Sequence, residues 1–282
     1  MNKKNVIVAA LLGIALLYAL ILSAGATAPS VTADRGTSAL DKLQLVNLAH
    51  ENNPKRTSGF PGDPKFTLTT SFTVPDDGFY LQYVKEGEHT GTHWAAPCHF
   101  RKGAACADDL KPRDLFLPAV VVDVRAKAAV DADYEVTVAD LKVFESRYGR
   151  IPRGAAVIAW TGWGRKWGTP AYGNLDSDGD LHQPGFSLRS VRWLIRTQRL
   201  GRRGALGTDT FGPDPGTDLN YRASSLLLQR HRIDLENLIR LGHLPPIGAH
   251  VLVGGPINHK GSGSTATIWG LVPPSSRGSE AE

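Results

Sequence analysis

One segment constrains this chain more than any other: His89-Thr90-Gly91-Thr92-His93-Trp94-Ala95-Ala96-Pro97-Cys98-His99-Phe100. It holds three histidines and one of the chain's two cysteines within twelve residues. His89 and His93 are about one helical turn apart, but Thr-Gly-Thr between them is poor helix material and suits extended backbone better. Side chains alternate faces along an extended chain. His89, Gly91, His93, Ala95, Pro97 and His99 are therefore expected on one face, with Pro97 ending regular pairing. Neutral imidazole is a common zinc ligand, so three imidazoles aimed at one point predict a metal site. That site would be catalytic if only three protein ligands serve it. The alternative is an ordinary strand that carries surface or core histidines.

Other short stretches extend the pattern: Phe60-Pro61-Gly62-Asp63-Pro64, Val120-Val121-Val122-Asp123-Val124, Thr161-Gly162-Trp163, Pro184-Gly185-Phe186-Ser187, Gly207-Thr208-Asp209-Thr210, Leu235-Glu236-Asn237-Leu238 and Gly261-Ser262-Gly263-Ser264. With these in place, the region from 44 to 274 resembles the cyclase family of metal-dependent hydrolases, which includes kynurenine formamidases and isatin hydrolases. The family signature is His-x-Gly-Thr-His-x-Asp-Ala-Pro-x-His-Phe, and the chain departs from it only where Ala95 replaces the aspartate.

The resemblance implies an α/β fold of β-sheets with flanking helices, often assembled as a homo-oligomer. It implies His89, His93 and Glu236 as metal ligands and His99 as the group that takes and returns a proton. Ala95 stands where a metal-bridging aspartate is expected, and Ser224, twelve residues before Glu236, stands where two-metal members carry a histidine. Both losses fall on the second metal. The expectation is one divalent ion, zinc by its His-His-Glu set with manganese as the alternative, acting on a small-molecule substrate. The implied activity is arylformamidase-like hydrolysis of an amide, formamide or lactam-like C–N bond through a metal-activated water. The alternatives are a non-catalytic, exported small-molecule-binding relative and a metal-free structural relative.

The N-terminus reads as an address. Lys3 and Lys4 precede an apolar run from Val6 to Leu22, and A-x-A patterns end at Ala26 and Ala28. Residues 1–28 are expected to be a secretory signal peptide, or an uncleaved N-terminal membrane anchor, so the folded part should lie outside the cytoplasm. Residues 29–43 read as a linker, 44–274 as the domain and 275–282 as a disordered tail. A formal charge of +5 is too mild to argue for nucleic acid. In an exported chain the pair Cys98 and Cys106 favours a disulfide; a free structural thiol, or a metal ligand or nucleophile at Cys98, are the alternatives.

Periodicity places the rest. Strands are expected at 46–50, over 66–74 and 80–84 in a sheet leading into the histidine segment, and at 119–124, 155–160, 251–255 and 268–272. Thr137 and Asp140 form a capping pair for a helix ended by Gly149, and Ser187 caps another that reaches Leu200. Helical patches are expected at 223–230 and 234–241, the second with Glu236 at its start. Trp160, Trp163 and Trp167 either line a pocket or fill the core. The run Asp176-Ser177-Asp178-Gly179-Asp180 lacks EF-hand spacing and reads as a polar loop. His182 is either a substitute metal ligand or a loop histidine. Asp209 either orients a metal-binding histidine or belongs to a structural turn.

Overall fold

The computed structural model describes residues 38–274, so the leader, most of the linker and the tail 275–282 lie outside the described residues. From Lys42 onward the chain forms one unit. Its strands, in chain order, are β1 (Gln44–Asn47), β2 (Thr67–Phe72), β3 (Leu81–Lys85), β4 (His93–Ala95), β5 (Phe116–Asp123), β6 (Glu135–Val136) and β7 (Ala156–Trp160). They continue with β8 (Gly185–Phe186), β9 (Ala205–Thr208), β10 (Ile233–Glu236), β11 (Ile247–Val253), β12 (Gly263–Thr265) and β13 (Ile268–Val272). The longer helices are α1 (Val138–Tyr148), α2 (Leu188–Arg196) and α3 (Arg222–Leu227).

Among the described residues a nine-stranded sheet runs in the order β1-β13-β11-β5-β7-β9-β10-β4-β12. Its centre, β5-β7-β9-β10, is parallel, and both flanks are antiparallel. Central parallel strands must be apolar on both faces. Accordingly Leu117, Ala119 and Val121 of β5 enter one core cluster while Val120 and Val122 enter another. The second cluster takes Leu141 and Phe144 of α1, Val191 and Leu194 of α2, and Ala223 and Leu227 of α3. The first draws Val46 and Val272 from one end of the sheet and Trp94 from the other, so the sheet curls around it. Ile239 N–H donates to the Leu48 carbonyl at 3.0 Å, and His50 N–H donates to Thr92 Oγ1 at 2.8 Å, stitching the two ends together.

Local signals behave as expected at the helices. Thr137 Oγ1 accepts the Asp140 N–H, and the Asp140 carboxylate accepts the Thr137 N–H at 2.7 Å. Gly149, at φ 92°, ends α1. Ser187 Oγ accepts the Ser190 N–H at 3.1 Å. Helix α2 stops at Arg196, so Leu200 packs into the second cluster from beyond its end.

Two expectations are corrected. The histidine segment is extended only over β4: Gly91 turns the chain before it at φ 62°, and Pro97–His99 form a 3-10 turn after it. A proline at the first helical position fits that turn. Residues 234–241 are not helical. Ile233 and Leu235 enter one cluster while Asp234 and Glu236 face the other way, a period of two. Wedged between β9 and β4, that segment satisfies its backbone through ladders on both sides. Strands β2 and β3 pair antiparallel, as expected, in a two-stranded sheet of their own with Tyr80, Leu81 and Tyr83 exposed.

Cys98 and Cys106 are joined as a disulfide with Cα atoms 5.1 Å apart, which leaves no free thiol among the described residues. The bridge closes a short loop immediately around His99, so its entropic contribution is modest, on the order of 2–3 kcal/mol. None of the described helices is long and apolar enough to cross a membrane. Mass spectrometry of the intact protein should find two hydrogens more after reduction. An unchanged mass would contradict the bridge.

Candidate functional site

Strand pairing builds the site. In the β10–β4 ladder Glu236 lies directly opposite His93, and opposed residues on antiparallel strands share a face. His93 Nε2 and Glu236 Oε2 are 3.0 Å apart. His89 arrives from the turn before β4, its ring 5.0 Å from that of His93 and edge-on to it. His99 comes from the 3-10 turn and lies 4.1 Å from the His89 ring. The three imidazoles therefore converge through a turn, a short strand and a second turn. With Asp63 and Glu236 they line one end of a cavity of about 380 Å³, whose remaining wall includes Phe60, Phe100, Phe211, Leu219 and Tyr221. That size and mixture suit a small, largely apolar molecule.

A buried network fixes His93. Its Nδ1 donates to the Gly91 carbonyl at 2.9 Å, which leaves Nε2 facing Glu236. The same carbonyl accepts Asn237 Nδ2 at 2.7 Å, and Asn237 in turn accepts Tyr172 Oη at 2.6 Å and, at its own carbonyl, Thr92 Oγ1 at 2.7 Å. Glycine suits position 91, which is left-handed at φ 62° and where a Cβ would lie 2.2 Å from Asn52 Oδ1. His89 Nε2 meets Ser262 Oγ at 2.9 Å, and that hydroxyl donates to Glu88 at 2.8 Å. The hydroxyl proton is thus committed, so His89 Nε2 is the donor and Nδ1 keeps the lone pair.

Charge separates the three rings. Burial opposes protonation of His93, but the Glu236 carboxylate and the Gly91 carbonyl outweigh it and raise its pKa. Burial and the two neighbouring imidazoles push His89 far below the ordinary value. Burial, reinforced by His93 and opposed by Glu236, also lowers His99. Burial raises Asp63, with the Glu236 charge adding and His93 opposing. Burial and the Glu236 charge raise Asp234 well above the carboxylate range.

His182 does not line the cavity. Its Nδ1 is 2.6 Å from Asp133 and its Nε2 is 3.4 Å from Asp176, which places it as a loop histidine between two carboxylates. Among the described residues Asp209 makes no hydrogen bond to a histidine. It accepts Thr161 N–H at 2.9 Å and Thr161 Oγ1 at 2.6 Å, tying the end of β7 to that of β9. The tryptophans are packing groups: Trp167 stacks on His50, Trp163 donates to the Tyr172 carbonyl, and the Arg125 guanidinium lies over Trp160. Among the acids at or beside the site, sequence reasoning did not single out Asp63 and Asp214, which line the cavity, or Asp234, which lies one same-face pair along the ladder from Glu236 without lining it. At the Asp214 carboxylate Ser224 donates its hydroxyl and Ala223 its N–H. The only sequence signal for Asp63 was its place in a family-like stretch. For Asp234 the signal was an acid between two core residues.

The donor chemistry suits a divalent cation. A neutral imidazole nitrogen and a carboxylate oxygen facing each other at 3.0 Å are both acceptors, so a proton or a metal ion must accompany them. His89 is the neutral third donor, presently turned to Ser262. As the side chains stand, no three His, Cys, Asp or Glu groups among the described residues enclose one ion. Donor types therefore fit, with two in place and the third beside them.

Known proteins resemble this chain in sequence and fold. The cyclase family model matches residues 46–215. The isatin hydrolase of Roseibium aggregatum is 30% identical over 219 residues, spanning 74% of this chain and 82% of that protein. The kynurenine formamidase of Salinibacter ruber is 35% identical over 89 residues, spanning 30% of this chain and 41% of that protein. Among solved structures, isatin hydrolase A from Labrenzia aggregata bound to benzyl benzoate superposes with a TM-score of 0.76 at 28% identity, covering 82% of this chain and 94% of that one.

Asn237→Gly keeps the positive φ at this position and removes the amide, stranding buried partners. It should cost about 2 kcal/mol, read as a fall in melting temperature of roughly 4–8 °C for a domain of this size. A melting curve unchanged from wild type would remove Asn237 from the support of His93.

Proposed function

The chain belongs to the cyclase family, and on that premise we propose that it is a hydrolase acting on an amide-like C–N bond of a small molecule, with a formamide or lactam as the substrate class. The observation that carries this proposal is the His93–Glu236 pair, set with His99 at one end of an aromatic-walled cavity. We further propose that the activity is metal-dependent and that the protein works outside the cytoplasm, exported or anchored through its N-terminus.

His89, His93 and Glu236 would hold the ion, with zinc matching the donor set and manganese the alternative. When bound, a divalent cation there supplies Lewis-acid polarisation of the substrate carbonyl and acidifies water. The protein's own groups do the rest. His99, kept neutral by burial, takes the proton of the attacking water and returns it to the leaving nitrogen. Phe60, Phe100, Phe211 and Tyr221 supply an apolar wall that orients a flat substrate and excludes bulk water. Asp63 lies beside His93, Glu236 and His99 in the cavity lining and would accept a hydrogen bond from a substrate N–H. Ala95, where the signature has an aspartate, and Ser224, where two-metal members carry a histidine, favour the alternative of a non-catalytic binding relative.

Metal analysis of protein purified without chelators, with turnover of aryl formamides and isatin-like lactams, separates these. His93→Ala should abolish metal retention. His99→Ala should retain the metal and lose turnover by about 100-fold or more; wild-type turnover in that variant would refute its role. Because a lowered pKa keeps His99 neutral through neutrality and protonates it only in acid, the acid limb of kcat/KM should lie below 6.5. A limb at or above that value, persisting in His99→Ala, would assign it to another group.

A further inference from the structure

The sequence has alanine at 95, where the signature segment calls for an aspartate. Directly across the ladder, the residue paired with Ala95 is Asp234, and the next opposed pair on that face is His93 with Glu236. Opposed residues place their Cβ atoms about 4.5–5.5 Å apart. Asp234 therefore presents a carboxyl group on the site's own face, one strand over from the missing one. The geometry agrees, since Ala95 N–H donates to Asp234 Oδ1 at 2.9 Å. Asp234 is only 1% exposed, and its Oδ2 is buried with no hydrogen-bond partner among the described residues.

A buried carboxylate oxygen without a partner is rare and costly. Ile233 and Leu235, on either side, are core residues facing the other way, and the Ala95 N–H occupies only one of the two carboxyl oxygens. Two aspartates at 95 and 234 would be like charges directly opposed, which destabilises a ladder. An acid at either position thus disfavours one at the other, and this chain has alanine at 95 and aspartate at 234.

Resting on the metal assignment above, we propose that Asp234 supplies from β10 the carboxylate that β4 lacks, and that its Oδ2 is an anionic donor to the divalent cation held by His93 and Glu236. One carboxylate leaves a divalent charge half balanced in a dry site. Two balance it.

The test is calorimetric titration of the chelator-treated full chain with Zn2+ and with Mn2+. Asp234→Asn keeps an oxygen for the Ala95 N–H and removes only the anionic donor. Its metal affinity should fall about tenfold or more, of the order seen when groups around a metal are removed. Its melting temperature without metal should not fall, and the rise in melting temperature on adding metal should shrink. The double variant A95D/D234N returns the carboxylate to β4 and should recover the affinity. It also decides the matter if Asp234→Asn fails to fold: recovered binding supports the proposal, and a folded, non-binding protein overturns it. If Asp234→Asn binds metal as tightly as wild type, Asp234 is no donor while the metal assignment stands. If wild type binds neither ion, both fall together.

Discussion

An imidazole nitrogen and a carboxylate oxygen 3.0 Å apart, largely out of water, demand a positive charge between them. Much of the active end of this molecule follows from meeting that demand. The β4–β10 register brings the two groups together, and the Gly91 turn gives His93 the tautomer whose free nitrogen faces Glu236. The neighbouring rings respond in the opposite sense. Burial beside a third imidazole lowers the pKa values of His89 and His99, whereas the Glu236 carboxylate raises that of His93.

The fold was legible where side-chain period and burial agree. The apolar runs that became β5 and β7 could be read directly, as could the Thr137–Asp140 capping pair, because each is decided by residues close in sequence. The segment 234–241 was misread for the opposite reason. Its strand state depends on β9 and β4, which come from distant parts of the chain, and no local signal outweighed the helix-like spacing. The histidine segment shows both effects. Its convergence was foreseen, but the route was not an unbroken strand, because Gly91 and Pro97 each impose a turn that alternation alone cannot express.

The candidate site was legible to the same depth. His89, His93, His99 and Glu236 were identified from the resemblance, and they meet around one cavity. His182 and Asp209 were named as candidates because of the blocks they adjoin. In space each is consumed by other partners: two loop carboxylates for His182, and Thr161 for Asp209. Asp234 escaped notice because a carboxyl on a strand has meaning only once its cross-strand neighbour is known.

The curl of the sheet has a consequence for how the site is held. The bonds from Ile239 to Leu48 and from His50 to Thr92 form a seam, and they flank Glu236 and His93 within a few residues. Leu48 itself is fully buried in the first core cluster. The hem that closes the fold is thus also the anchor of the two strands that carry the imidazole and the carboxylate.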